Sequence, residues 1–173
     1  MNNHPDSRPP DFEGIIRHFC SEGVEFIIIG GLAATLHGSA YITTDVDFCY
    51  NRSHQNLGRL ARALSEIHAT LRGAPPDLPF RPDASTLKAG LNFTFVTDLG
   101  DIDMFGEVSG LGPFSDVVKE TEEVSLFGFP VRVLTLDGLI HAKRAAGRRK
   151  DLTIVPELEA LRELLEGKDK KQE

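Results

Sequence analysis

Residues 27–50 read IIIGGLAATLHGSAYITTDVDFCY, and this stretch decides the fold. With the residues before it, it opens on VEFIII (24–29), a continuous apolar run of the kind a central buried strand shows. Gly30-Gly31 breaks that strand, and LAATLHG (32–38) reads as a short helix closed by Gly38. TDVDFCY (44–50) reads as a second strand. Side chains alternate along a strand, so Asp45 and Asp47 point to one face, roughly 7 Å apart along the backbone, and Val46 and Phe48 point to the other. Aspartate is a poor strand former. Two such charges repel by about 2 kcal/mol at an effective dielectric of about 20. A divalent cation offsets that cost, and hard carboxylate oxygens suit Mg²⁺ or Mn²⁺.

The same pattern recurs at Asp101-Ile102-Asp103. DIDMF (101–105) reads as a strand joined to LNFTFVT (91–97) by a tight turn at Asp98-Leu99-Gly100. If the two aspartate-bearing strands are neighbours, three or four carboxylates converge. That suffices for two metal ions about 4 Å apart, which activate a hydroxyl and stabilise a leaving pyrophosphate. The glycine pair sits at a strand-to-helix junction, where glycine lets a backbone approach a ligand closely and free amides favour phosphate.

Around this centre, residues 11–22 read as a helix with Phe12, Ile15, Ile16, Phe19 and Cys20 on one face, ended by Gly23. Ser53 opens a long helix with a stripe of Leu57, Leu60, Ala61, Leu64, Ile67 and Leu71. Gly73–Pro82 reads as a loop, and a hairpin is expected around Gly128. Asp137 caps a helix running to about Ala146, and Pro156 opens a last helix with Leu158, Leu161, Leu164 and Leu165 inward. This order predicts an α/β domain over residues 11–166, a mixed central sheet flanked by helices and covered in its middle on one side. Residues 1–10 and 167–173 read as polar, disordered tails.

At 173 residues the chain fits one domain. A domain of that size buries roughly 70% of its unfolded surface, so it needs no disulfides. Cys20 and Cys49 form no pattern and read as small buried hydrophobes, which fits a reducing, cytoplasmic compartment. No apolar run approaches the ~18 residues of a membrane span, and the N-terminus lacks the order of a signal peptide; no membrane partner is expected. The net charge of −7 argues against a broad nucleic-acid-coating surface while leaving room for a local basic site. Tryptophan is absent, and Phe93, Phe95, Phe105 and Phe127 read as core, not as a stacking platform.

The local basic candidates are Lys143, Arg144, Arg148, Arg149 and Lys150, near a helix C-terminus where cations are favourable in any case. Lys143 is the most useful of them, because phosphoryl transfer depends on positive charge at developing oxyanions. His37 reads as a helix-end residue. Ser39 either donates to a phosphate or caps the turn, and His141 has no assigned role.

These motifs together resemble the DNA polymerase β nucleotidyltransferase superfamily. Its pattern is a Gly-Gly or Gly-Ser turn, a short helix, an Asp-hydrophobic-Asp strand and a later acidic residue on another strand. Here those are Gly30-Gly31, Asp45-Val46-Asp47 and Asp103. GGLAATLHG followed by TTDVDF, with Lys143 to Asp151 later, is most similar to minimal bacterial nucleotidyltransferases related to AbiEii-type toxins of toxin–antitoxin pairs.

The resemblance implies metal-dependent transfer of a nucleoside monophosphate from a nucleoside triphosphate (NTP) to a hydroxyl, with a tRNA 3′ end, a protein or a small molecule as acceptor. It implies a cognate antitoxin as partner. Asp45, Asp47 and Asp103 would bind metal and carry catalysis. Gly30 and Gly31 would hold the triphosphate, Thr43 and Ser39 would border it, Lys143 would contact phosphate, and Lys150 with Asp151 would complete the pocket. The preference for Asp103 over Asp101 comes from the family pattern; Asp101, after Gly100, also suits a turn. Many relatives carry arginine where this chain has Tyr41. Two other functions use the same residues: a nucleotide-binding regulatory module without turnover, and a metal-dependent phosphohydrolase.

Overall fold

The structure, a computed structural model, describes residues 9–169. Asp11 accepts a hydrogen bond from the Gly14 amide and starts α1 (Phe12–Ser21), satisfying a donor that the first helical turn leaves open. β1 (Phe26–Ile29) leads directly into α2 (Gly30–Leu36), and β2 (Asp45–Tyr50) returns beside it. Ser53 caps α3 (His54–Glu66), which is followed by a two-residue edge strand, β3 (Thr70–Leu71). After a loop come α4 (Ala84–Ala89) and the hairpin β4 (Asn92–Thr97) and β5 (Gly100–Phe105). β6 (Glu107–Val108) and β7 (Gly112–Pro113) form a small separate hairpin before α5 (Phe114–Val117). A second hairpin, β8 (Thr121–Leu126) and β9 (Phe129–Leu134), leads to α6 (Leu136–Ala146) and α7 (Arg149–Asp169).

Seven strands form one mixed sheet in the order β3-β4-β5-β2-β1-β9-β8. β1 is antiparallel to β2 and parallel to β9, and β2 is parallel to β5. Both faces of the sheet centre are covered, not one. All four residues of β1 are buried. On one face Phe19 of α1 packs edge-on against Phe26 and tilted against Phe48, with ring centroids 6.1 and 5.4 Å away. On the other, α5 packs against β2, and Cys49, which points opposite to Phe48, is fully buried.

Several expectations change. The α3 stripe stops at Ile67, and Leu71 belongs to β3 because the chain turns after His68, whose φ is +52°. Thr135, not Asp137, caps α6 by accepting from the Gly138 amide; Asp137 instead accepts from Arg162. Pro156 lies inside α7, which begins at Arg149. Leu158 is buried, but Leu164 and Leu165 are 62% and 43% exposed, because the end of α7 has no neighbour on that side among the described residues. Phe127 stands 41% exposed at the tip of the β8–β9 hairpin. Of the expected tails, Pro10 is buried against Gly100 and residues 167–169 continue α7. Residues 1–8 and 170–173 lie outside the described residues. No helix among the described residues is long and apolar enough to cross a membrane.

Arg52 fastens the end of α4 to β2. Its guanidinium donates to the carbonyls of Leu87 (3.3 Å), Lys88 (2.9 Å) and Gly90 (2.6 Å) and to the Tyr50 hydroxyl (2.9 Å). Arg52→Ala removes these donors and leaves several carbonyls unpaired. It is expected to cost about 2–4 kcal/mol, seen as a lower urea midpoint at unchanged m value.

Candidate active site

Parallel pairing of β2 with β5 sets Asp45 opposite Asp101 and Asp47 opposite Asp103. Residues opposite each other in a sheet share a face, so the two Asp-hydrophobic-Asp segments meet as the spacing predicts. Val46, Phe48, Ile102 and Met104, on the reverse face, are fully buried and anchor the acidic strands. One carboxylate oxygen each from Asp45, Asp47 and Asp103 lies within 4.8 Å of the others. Asp101 is not in this trio. The three border a cleft of about 560 Å³, which is also walled by Gly30, Gly31, Thr43, Lys143 and Lys150. That volume is in the usual range for a small-molecule site.

Like charges this close resist joint ionisation. Burial above all, then Asp45 and Asp103, push the Asp47 carboxyl up to about 7, against the opposing pull of Lys143 and the Gly31 amide. Burial also raises Asp103, with Arg72 opposing it and Asp45 and Asp101 adding to it. Arg72 was not anticipated. Its Nε lies 3.1 Å from Asp101 Oδ2, and its Nη2 lies 2.8 Å from Asp103 Oδ1. Both approaches are ion pairs off the hydrogen-bonding line. Among the described residues, Arg72 Nε and Asp103 Oδ1 are the buried side-chain polar atoms without a hydrogen-bond partner.

The glycine pair has a concrete steric role. Gly30 has φ +63°, and a Cβ there would stand 2.0 Å from Asp47 Oδ2. A Cβ on Gly31 would meet Thr43 Cβ at 2.8 Å and Tyr41 Cε1 at 2.9 Å. The missing side chains thus make room for Asp47 and for the loop that carries Thr43. The Thr43 hydroxyl donates to the Asp45 carbonyl (2.8 Å) and lies 3.2 Å from Asp45 Oδ1, steadying the first carboxylate. Tyr41, where the resemblance leads one to expect arginine, lines the cleft.

Ser39 does not line it. Its hydroxyl donates to Glu157 Oε1 at 2.7 Å and ties the α2–β2 loop to α7. His37 ends α2, with Nε2 2.8 Å from the Leu134 carbonyl. His141 Nε2 lies 3.0 Å from the Gly110 carbonyl.

The basic wall comes from the α6–α7 junction. Lys143 Nζ donates to Asp151 Oδ1 (2.8 Å), and Arg148 Nε donates to Asp151 Oδ2 (2.5 Å). Asp151 is almost fully buried. Burial alone would raise its carboxyl; the hydrogen bonds from Lys143 and Arg148 outweigh that and hold it below the usual range. Asp151 therefore fixes Lys143, whose remaining ammonium protons are available to an anion in the cleft. Arg148 and Lys150 also line it.

The donor set fits a hard divalent cation. Its three carboxylate oxygens lie at close quarters on one face. Phe105, read from the sequence as core, is only partly buried and lines the cleft together with Asn92, Glu107 and Ser109, which were not singled out from the sequence. Asn92 opens β4, and Glu107 and Ser109 come after β5, without a motif, so only their nearness to Asp103 along the chain could have drawn attention to them.

No family model matches this chain, and no curated protein matches it in sequence. Solved structures do. The lincosamide antibiotic adenylyltransferase LnuA, in a lincomycin-bound crystal structure, aligns over 86% of this chain and 94% of its own at 13% identity, with a TM-score of 0.54. The crystal structure of ANT(2")-Ia in complex with adenylyl-2"-tobramycin aligns over 89% of this chain and 94% of its own, at 13% identity and a TM-score of 0.50. The solution structure of the antibiotic-resistance factor ANT(2'')-Ia gives 13% identity and a TM-score of 0.50 over 91% of this chain and 90% of its own. The fold is that of the nucleotidyltransferases, a mixed sheet flanked by helices.

Proposed function

We propose that this chain is a nucleotidyltransferase that moves a nucleoside monophosphate from an NTP to a hydroxyl acceptor with the help of Mg²⁺ or Mn²⁺. The observation that carries this reading is the carboxylate trio, built from two neighbouring strands and faced by Lys143 in one cleft. A divalent cation bound by Asp45, Asp47 and Asp103 would neutralise triphosphate charge and ease ionisation of the acceptor hydroxyl.

The chain's own residues do the rest. Lys143, oriented by Asp151, donates to phosphate oxygens, and Lys150 and Arg148 add positive charge beside it. Gly30, Gly31 and Thr43 border the triphosphate, and Asp103 accepts the acceptor's proton. The acceptor oxygen bonds to the α-phosphorus, the bond from that phosphorus to the bridging oxygen breaks, and pyrophosphate leaves. Catalysis here is positioning and charge neutralisation.

The acceptor classes follow from two likenesses. The sequence resemblance to AbiEii-type toxins points to a tRNA 3′ end or a protein hydroxyl, with a cognate antitoxin as partner. The folds shared with LnuA and ANT(2")-Ia point to hydroxyls of small molecules. The test is to incubate the chain with each α-labelled NTP, Mg²⁺ or Mn²⁺, and separately total tRNA, a protein extract or hydroxylated antibiotics. Pyrophosphate release coupled to label on one acceptor class is expected. An Asp45→Ala/Asp47→Ala variant with undiminished transfer would refute the assignment.

A further inference from the structure

Asp101 and Arg72 have no part in that scheme, yet they adjoin it. Asp101 stands opposite Asp45, on the face that carries Asp103, but contributes no oxygen to the trio. Its partner is Arg72, a residue just past the edge strand β3. The Arg72 backbone is fixed, because its amide donates to the Thr94 carbonyl at 2.9 Å. Its side chain is fixed too, because Nη2 donates to the Phe95 carbonyl at 3.2 Å. Neither Arg72 nor Asp101 lines the cleft. The guanidinium therefore reaches Asp103 from the β3–β4 side, with one nitrogen against each carboxylate. A guanidinium is a rigid, permanently charged plane, so holding one edge on Asp101 fixes the direction of the other.

The local charge count makes this pair more than a brace. Four carboxylates share this face of β2 and β5, and the cations against them are Arg72 and Lys143. Arg72 offsets the charge that would otherwise draw a divalent cation more strongly, and it directs the carboxylate that faces the acceptor.

We propose that Arg72, oriented by Asp101, is a positioning residue that aims Asp103 into the trio and sets how strongly the trio attracts a divalent cation. This rests on the metal-binding reading of the trio. Removing the guanidinium has two opposite consequences. Cation binding tightens, because a positive charge is gone. Turnover falls, because Asp103 loses its fixed direction. A brace with only a structural role would weaken both.

The experiment measures Mn²⁺ binding to the full chain, from the electron paramagnetic resonance of free Mn²⁺, and pyrophosphate release in parallel. Arg72→Gln is expected to lower the Mn²⁺ Kd by about 3–10-fold and Asp101→Asn to raise it by about 2–5-fold. The charge-balanced double variant should return to within about twofold of the unmodified chain. Pyrophosphate release should fall at least about 10-fold in Arg72→Gln and in the double variant. Arg72→Lys keeps the charge and loses the planar fork, so it should bind Mn²⁺ normally but turn over slowly; it serves if Arg72→Gln fails to fold. Weaker or unchanged Mn²⁺ binding in folded Arg72→Gln would overturn the proposal. So would a loss well beyond about 100-fold in Asp101→Asn, more than a residue outside the ligand set costs, which would make Asp101 a ligand. If the unmodified chain binds Mn²⁺ but releases no pyrophosphate, the transferase reading fails, while the Mn²⁺ series still decides the role of Arg72.

Discussion

Asp47→Asn is expected to abolish nucleotidyl transfer, by on the order of 10³-fold or more, and at the same time to raise the melting temperature of the metal-free chain. Both follow from one arrangement: the half-buried Asp47 carboxyl belongs to the trio with Asp45 and Asp103 and is pushed up to about 7. An unfolded aspartate loses its proton near about pH 4, whereas this one keeps it in the folded state until about 7. Between those values the folded state binds more protons, so stability falls as pH rises through that window. Above it, the whole cost of a partly desolvated, repelled charge is present. Asparagine keeps the shape and removes the charge, so at pH 8 the metal-free variant should melt several degrees higher. Adding Mg²⁺ should stabilise the unmodified chain, through binding to the folded state alone, and should shift the variant much less. Differential scanning fluorimetry at pH 5 and 8, with and without Mg²⁺, reads all of these. A variant that melts lower at pH 8 without metal would mean that Asp47 is a structural group rather than a strained ligand.

The second large effect is expected at a residue with no side chain. Gly30→Ala should cut transfer by at least about 100-fold, since small displacements of reacting groups cost that much. The new methyl would stand 2.0 Å from Asp47 Oδ2, a distance no packed structure accepts. The backbone at φ +63° adds strain, about 1–2 kcal/mol for an L-residue. Either Asp47 turns out of the trio or the β1–α2 junction shifts, and each outcome separates the carboxylates. Mn²⁺ affinity should fall in step with turnover. Gly31→Ala meets Thr43 and Tyr41, which sit on a loop, so its effect should be the smaller. A Gly30→Ala chain with undiminished Mn²⁺ affinity and turnover would show that Asp47 needs no such room.

What could be read in advance was whatever obeys a period. The apolar run of β1 and the alternation in β2, β4 and β5 placed Asp45, Asp47 and Asp103 on one face, and the register then brought them together. What escaped was whatever local pattern contradicts or hides. Leu71 fits the spacing of the α3 stripe, so the sequence suggests one longer helix. That reading places Arg72 at a helix end instead of beside Asp103. Pro156 looks like a helix start because proline is tolerated in a first turn, yet the Asp151 ion pairs with Lys143 and Arg148 lie a full turn earlier, within α7. Ser39 reads as either a phosphate donor or a turn cap; its hydroxyl accepts from the Tyr41 amide two residues on, as a turn cap does, and donates to Glu157, 118 residues away, a partner no local pattern reveals. The likeness of Asp101 to Asp45 could not reveal that a distant arginine occupies the former and leaves the latter free for the trio.

The most direct test of the metal-and-nucleotide site is a crystal structure of this chain with Mn²⁺ and a non-hydrolysable NTP analogue, read by the anomalous signal of manganese. The expected result is Mn²⁺ about 2.0–2.3 Å from oxygens of Asp45, Asp47 and Asp103, with the phosphates between Gly30-Gly31 and Lys143. Manganese bound elsewhere, or Asp103 turned away from Asp45 and Asp47 while the analogue lies outside the cleft, would contradict it.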